Sequence, residues 1–301
     1  MDDMPHSYTI SELEKFSGIK AHTIRIWEQR YELLSPNRTK TNLRRYDDED
    51  LRRLLNVAAL NKMGYKISRI ADMAESEIES VIRADSVKKN KEQHVLNILK
   101  IAMLNFDEEL FTSGVLAYEQ EHGRDPLIHK VLLPFLVQIG VLWQTRAICP
   151  AHEHFISNLI RQFFQHAIKS LPNKSLRSSP TFVLYLPAGE LHEIGLLLIH
   201  YTLRKMGRKS VYLGQSLPVN NLEQVCTKIV NPCFVSYLTA KGSTKGFDKL
   251  VGSLAQNPKI NSSSFHFIVS PEDFVNPVSP EEFKVHNSSV DFLKYVEEEL
   301  G

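Results

Sequence analysis

The chain has 301 residues, 43% of them apolar and 24% charged, with 36 basic residues against 35 acidic ones. That profile belongs to a folded protein of two or three domains; it excludes a mainly disordered chain, a collagen-like repeat and a long coiled coil. No run approaches the roughly 18 uninterrupted apolar residues of a membrane span. The first ten residues, MDDMPHSYTI, lack the basic start and apolar run of a signal peptide. The three cysteines (Cys149, Cys226, Cys233) are odd in number and form no metal-ligand pattern. The expectation is a reduced, cytoplasmic setting with no membrane.

Two polar stretches, residues 83–93 (RADSVKKNKEQ) and 171–181 (LPNKSLRSSPT), read as exposed connections. They divide the chain into residues 1–82, 92–171 and 180–301. The first segment reads as short helices. Ser11 with Glu14 three residues later forms a capping-box pattern, and Ser17-Gly18 ends that helix. A second helix spans residues 21–31, with Ile24, Trp27 and Tyr31 on one face. Two short helices about a Gly-containing turn make a helix-turn-helix. Acidic residues 47–50 lead a helix over 51–63, and a shorter one follows over 67–74. Across residues 20–46, seven basic residues (Lys20, Arg25, Arg30, Arg38, Lys40, Arg44, Arg45) outnumber two acidic ones (Glu28, Glu32). This local surplus suggests a phosphate-facing patch.

The middle segment carries 3.6-period apolar residues over 97–118, 126–144 and 152–171, which points to a four-helix bundle. In the third segment, strand-like runs at 182–186, 211–214, 234–238 and 265–269 alternate with helical stretches at 191–206, 220–230 and 246–256. That alternation predicts a doubly wound parallel sheet, with ligands at the carboxyl ends of its strands.

Residues 8–13 (YTISEL), 17–19 (SGI) and 23–31 (TIRIWEQRY), continued by 34–38 (LSPNR) and 44–46 (RRY), resemble the winged helix-turn-helix of MerR-type transcription regulators. The resemblance implies a dimer on a pseudo-palindromic operator in double-stranded DNA. Arg25 and Arg30 would then lie on the recognition helix, Arg25 being the first candidate for base edges. Arg38, Arg44, Arg45 and Tyr46 would sit on the wing and hold phosphates. Two features depart from the family. Lys20 stands where a small helix-capping residue is usual, and the wing's common glycine is absent from residues 39–42.

Further on, Glu190-x-His192-x-x-Gly195 after the first strand of the third segment resembles the Asp-x-His-x-x-Gly motif of cobalamin-binding domains. In that family the His replaces the corrinoid's own base as the lower cobalt ligand. A neutral imidazole suits a transition metal, and a carboxylate two positions earlier can hold its other nitrogen. The resemblance implies that Gly195 lets the displaced nucleotide tail approach and that Ser236 and Leu238 supply the family's Ser-x-Leu. Trp143, followed after nine residues by Glu153 and His154, resembles the helical cap that covers the corrinoid's upper face in cobalamin-dependent MerR-type regulators. One departure is Ser270-Pro271, where the family usually has Gly-Gly.

The expected fold class is multidomain α and α/β. Its parts are a MerR-like winged helix-turn-helix (1–82), a four-helix bundle acting as cap (92–171) and a flavodoxin-like doubly wound sheet (180–301). The expected function is a non-enzymatic transcription regulator. Cobalamin, in its adenosyl form, would bind between cap and sheet with His192 on the cobalt, and occupancy would shift oligomerisation, as dimer or tetramer, and hence promoter binding. Some relatives link this response to light. Two alternatives stay open: a regulator whose cobalamin-like domain is empty and binds a protein partner, and a corrinoid-carrying methyltransferase subunit. Cys149, His152 and His154 do not make a zinc site, because Cys-x2-His-x-His sets the two imidazoles about 200° apart on a helix.

Overall fold

The computed structural model describes residues 7–39, 42–62, 64–78, 81, 91–172, 180–238, 244–260, 263–269 and 283–300. The chain divides into two compact units, Met1–Asn158 and Leu159–Gly301.

The first unit opens with α1 (Ile10–Ser17) and α2 (Ala21–Tyr31). The capping box of α1 lies two residues earlier than expected: Thr9 is the N-cap, and Glu12 reaches back to its backbone N–H at 2.6 Å. Glu14 does different work. Its carboxylate accepts from the Ala21 N–H at 3.0 Å and pairs with Lys20, so it caps α2 from outside. This is why Lys20 can stand at the N-cap with no side-chain cap of its own. Gly18 adopts φ 73° to turn the chain between the helices.

The wing is a two-stranded antiparallel ribbon of β1 (Asn37–Arg38) and β2 (Arg44–Arg45). Asn42, at φ 62°, takes the left-handed position that a glycine would otherwise occupy. An isolated bridge between Tyr8 and Tyr46 ties the chain start to the wing. Helices α3 (Asp48–Lys62) and α4 (Ile67–Ala71) complete a core around Leu13, Phe16, Ile24, Trp27, Leu51 and Leu54.

Four helices follow: α5 (Lys91–Asn105), α6 (Glu108–His122), α7 (Arg124–Gln144) and α8 (Pro150–Lys169). The helix expected over 97–118 is two helices. Phe106 turns the chain at φ 53°, and Asp107 caps α6 by accepting from the Leu110 N–H at 2.8 Å. In α7, Pro134 has no N–H for the Lys130 carbonyl, and the preceding turn Leu127–Leu132 widens to a π-helix. By length and composition α7 is apolar enough to cross a membrane. Its Leu127, Ile128, Val131, Leu132, Phe135, Ile139 and Leu142 are instead buried in the protein. The division between the units falls inside α8.

The second unit is a five-stranded, all-parallel sheet: β3 (Thr181–Pro187), β4 (Ser210–Leu217), β5 (Pro232–Leu238), β6 (Ser264–Val269) and β7 (Phe283–His286). Spatial order is β4-β3-β5-β6-β7, that of a flavodoxin-like sheet. One face packs Phe182, Leu184, Cys233 and Val235 against α9 (Ile194–Lys205) and α12 (Ser289–Glu299). The other packs Tyr185, Phe234, Phe265 and Phe267 with Leu222 of α10 (Leu222–Cys226) and with Phe247 and Leu254 of α11 (Thr244–Ala255). Over residues 220–230 the expected helix shrinks to a 3-10 turn (Val219–Asn221) leading into the short α10. Strand β7 and helix α12 were not among the expected elements.

Candidate functional site

Helix α2 presents a polar stripe. His22, Arg25, Ile26, Gln29 and Arg30 are exposed, while Ile24 and Trp27 face the core. Arg25 is thus free to reach outward, and Arg30 lies over the Tyr31 ring at 5.5 Å. His22 and Gln29, at i−3 and i+4 from Arg25, share its side of the helix, and Ile26 beside it is exposed as well; none of the three was named as a DNA contact from sequence. Ile26 is half exposed, an apolar group of the kind that meets a thymine methyl.

On the wing, Arg38 is exposed and donates to Asn42 at 2.7 Å; Arg45 is partly exposed. Two expected phosphate ligands are differently employed. Tyr46 is fully buried, and its hydroxyl donates to Glu28 at 2.8 Å, so it is a core residue under the wing rather than a phosphate contact. Arg44 donates to the other oxygen of Glu28 at 2.8 Å. Glu28 of α2 therefore fixes the wing to the recognition helix, a role that only the folded structure brings together.

In the bundle, Trp143 lies at the end of α7 and is 45% exposed; Val137 and Val141 leave further apolar surface on the same helix. At the start of α8, Glu153 and His154 are adjacent, with Glu153 Oε2 2.8 Å from His154 Nδ1 and the imidazole largely exposed. Cys149 Sγ lies 3.2 Å from His152 Nδ1, while His154 turns to Glu153. No group of three metal-ligating side chains occurs among the described residues.

The loop after β3 is the most ordered constellation. Gly189 turns at φ 89°. Glu190 Oε1 accepts from the backbone N–H groups of Leu191 and His192, each at 2.9 Å, and lies 2.7 Å from His192 Nδ1. With Nδ1–H donated to that carboxylate, Nε2 carries the free lone pair. The imidazole is 73% exposed. From β4, Gln215 donates to the Leu191 carbonyl at 2.7 Å, and the Ser216 hydroxyl accepts from the Gly189 N–H at 3.1 Å. Glu193, buried at the start of α9, lies 2.6 Å from Arg161 Nε and accepts from the Tyr212 hydroxyl at 2.5 Å. Burial, then the Glu193 carboxylate, push the Tyr212 phenol up. Glu193 and Arg161 were not singled out from sequence, and no motif joins them to Tyr212.

The other expected residues lie apart. Ser236 alternates with Val235 and Tyr237 on β5, so it faces the Phe234 side of the sheet, away from α9, and Leu238 packs on that side too. Among the described residues, neither the buried Ser236 Oγ nor the hydroxyl of Tyr185 on the neighbouring strand has a hydrogen-bond partner. The open flank expected at Gly195 is filled. A side chain there would lie 2.6 Å from the Tyr237 ring. Ser270-Pro271 and Lys40 lie outside the described residues.

Residues 8–77 match the family model of the MerR HTH family regulatory protein, and residues 95–168 match that of a B12 binding domain. The chain is similar to the HTH-type transcriptional repressor CarH of Myxococcus xanthus, 27% identical over 263 residues that cover 83% of this chain and 85% of that protein. It is also similar to the HTH-type transcriptional repressor CarA of the same organism, at 26% identity over 73% of this chain and 72% of that one. Among solved structures, the monomethylamine corrinoid protein of Methanosarcina barkeri aligns with a TM-score of 0.53 at 16% identity, over 69% of this chain and 99% of that one. That likeness is one of fold.

Proposed function

Starting from a chain that joins a MerR-type helix-turn-helix segment to a B12-binding helical segment, we propose that the protein is a corrinoid-responsive, DNA-binding transcription regulator and not an enzyme. It works in the cytoplasm as a homo-oligomer, dimer or tetramer, on double-stranded promoter DNA. Functionally the chain has three parts: residues 1–82 for DNA, 92–171 as helical cap, and 180–301 as corrinoid-binding sheet.

One observation carries the reading: the exposed His192 imidazole, held by Glu190 through Nδ1 with Nε2 free, at the carboxyl end of the first strand of a doubly wound sheet. This donor suits cobalt, because a neutral, oriented imidazole is what a transition metal takes. Glu190 fixes its tautomer and direction. Bound cobalamin, in its adenosyl form, would supply a cobalt centre that can exchange a ligand. Trp143 offers an exposed, rigid apolar plane for the corrin, and Glu153 and His154 at the start of α8 would join it as cap residues. Arg25 and Arg30 approach base edges, and Arg38 and Arg45 hold phosphates.

The coupling is thermodynamic. A corrinoid changes DNA binding only by preferring one assembly state over the other, and DNA must then change corrinoid affinity by the same factor. The test is a gel-shift titration, in the dark, on DNA from upstream of the protein's own gene, with and without adenosylcobalamin, beside sedimentation of the same samples. The expected result is a shift in operator affinity that tracks a change in sedimentation; reversal on illumination would add a light-linked response. Operator binding indifferent to corrinoid would refute the proposal and favour the empty-module alternative.

A further inference from the structure

We propose that Tyr237 is a size-selecting plug beside the candidate cobalt ligand, so that the chain discriminates between corrinoids by whether they carry a nucleotide tail. The inference rests on His192 being the lower ligand of cobalt. Gly195 follows His192 by three residues at the start of α9. A Cβ at Gly195 would lie 2.6 Å from Tyr237 Cδ1 and Cε1 and 2.8 Å from Cζ. Real Cβ atoms essentially never come so close, so a side chain at this position would have to displace the Tyr237 ring, which fills that space.

A corrinoid held through His192 Nε2 has lost its own base from the cobalt. That base, still tethered by the nucleotide loop, would need room beside the segment that carries His192. The β4 side of this segment is closed by the bonds from Gln215 to Leu191 and from Gly189 to Ser216. On the α9 side, the gap that the missing side chain of Gly195 leaves is the gap Tyr237 occupies. Tyr237 is only half-buried and packs on the rim of the cluster formed by Leu184, Val235 and Leu196. The ring can therefore turn outward without dismantling the core, at the cost of its apolar contacts. A corrinoid without the nucleotide loop meets no such demand.

The experiment measures equilibrium binding of hydroxocobalamin and of aquacobinamide, which lacks the nucleotide loop and base, by visible absorption. It uses the full chain and its Tyr237→Ala, Tyr237→Val, Tyr237→Phe and His192→Ala variants. In free cobalamin the tethered base competes with His192 for cobalt, so a preference of the wild type for cobinamide is not diagnostic by itself. The diagnostic quantity is the change in the ratio of the two Kd values. Truncating the ring is expected to tighten cobalamin by about tenfold, the scale of one half-buried aromatic contact, and to leave cobinamide within about twofold. Tyr237→Phe, which keeps the ring, should keep the wild-type ratio, and His192→Ala should weaken both ligands. If Tyr237→Ala and Tyr237→Val leave the ratio unchanged while His192→Ala still weakens both, the plug is refuted and the cobalt reading stands. If neither corrinoid binds wild type or any variant, the cobalt reading falls and takes the plug with it.

Discussion

Removing the carboxylate of Glu28 tests whether the recognition helix and wing behave as one piece. Glu28 accepts from Arg44 and from Tyr46 at 2.8 Å each. Tyr46 is fully buried, so Glu28→Ala leaves its hydroxyl a desolvated donor without a partner, which costs about 1–3 kcal/mol. The Arg44 side chain keeps 27% of its exposure. Water can replace its partner, and the lost ion pair adds no more than about 1 kcal/mol. The expected loss is about 1–4 kcal/mol for Glu28→Ala, and under about 1 kcal/mol for Glu28→Gln, which keeps an acceptor for the phenol. Urea unfolding followed by Trp27 fluorescence in a Trp143→Phe background isolates this end, since the chain has two tryptophans. Adding Tyr46→Phe to Glu28→Ala removes the orphaned donor and should recover part of the loss. A Glu28→Ala effect below about 0.5 kcal/mol, or a further additive loss on adding Tyr46→Phe, would refute the reasoning.

Three other outcomes follow from the same geometry. Gly195→Ala forces a methyl into the Tyr237 ring and should destabilise the second unit by about 1–3 kcal/mol in thermal unfolding, with Tyr237→Ala restoring most of it; equal stability of Gly195→Ala and wild type contradicts the contact. His266 and His286 are buried with ring nitrogens 3.0 Å apart. Burial, then the neighbouring His286 and Lys284, push His266 down to about 3, and burial pushes His286 down as well, against the opposing pull of Asp291. Both pKa values are lower folded than unfolded, so their contribution is complete above about pH 6.5 and drains away below it, by at most about 1.4 kcal/mol per pH unit for each imidazole. A thermal midpoint of the second unit that stays flat from pH 7 to 5 would count against this. On the DNA side, Arg25→Ala should change base preference in a binding-site selection, whereas Arg38→Ala should weaken all sequences alike and lower the salt slope by about 1. The reverse pattern would exchange the two roles.

What the sequence made legible divides along physical lines. The parallel sheet was readable because strands buried on both faces are nearly continuous apolar runs, as in 182–186. Strand β7 escaped because it is a four-residue edge strand carrying Lys284 and His286, with no apolar run to mark it. The helix over 97–118 hid a break because Phe106 is apolar and kept the periodicity, while the capping signal of Asp107 was passed over. Capping boxes at positions 9 and 11 both fit the spacing rule, and only the folded chain shows Glu14 committed to α2. The local pair Glu190–His192 was readable at two-residue spacing. The Glu28–Tyr46, Glu193–Arg161–Tyr212 and Gly195–Tyr237 contacts join residues 18 to 42 positions apart, and they exist only through tertiary packing.

The most direct measurement is of colour. The full chain and its His192→Ala variant are purified in the dark, mixed with adenosylcobalamin, separated from free ligand by gel filtration, and their absorption spectra recorded. Cobalamin is expected to co-elute with the wild type, with a spectrum in which imidazole is the lower ligand, and the variant is expected to lose the colour or show the shifted spectrum of cobalamin without a lower base. Wild type that elutes colourless with adenosylcobalamin, hydroxocobalamin and cobinamide alike would contradict the assignment of His192 to cobalt.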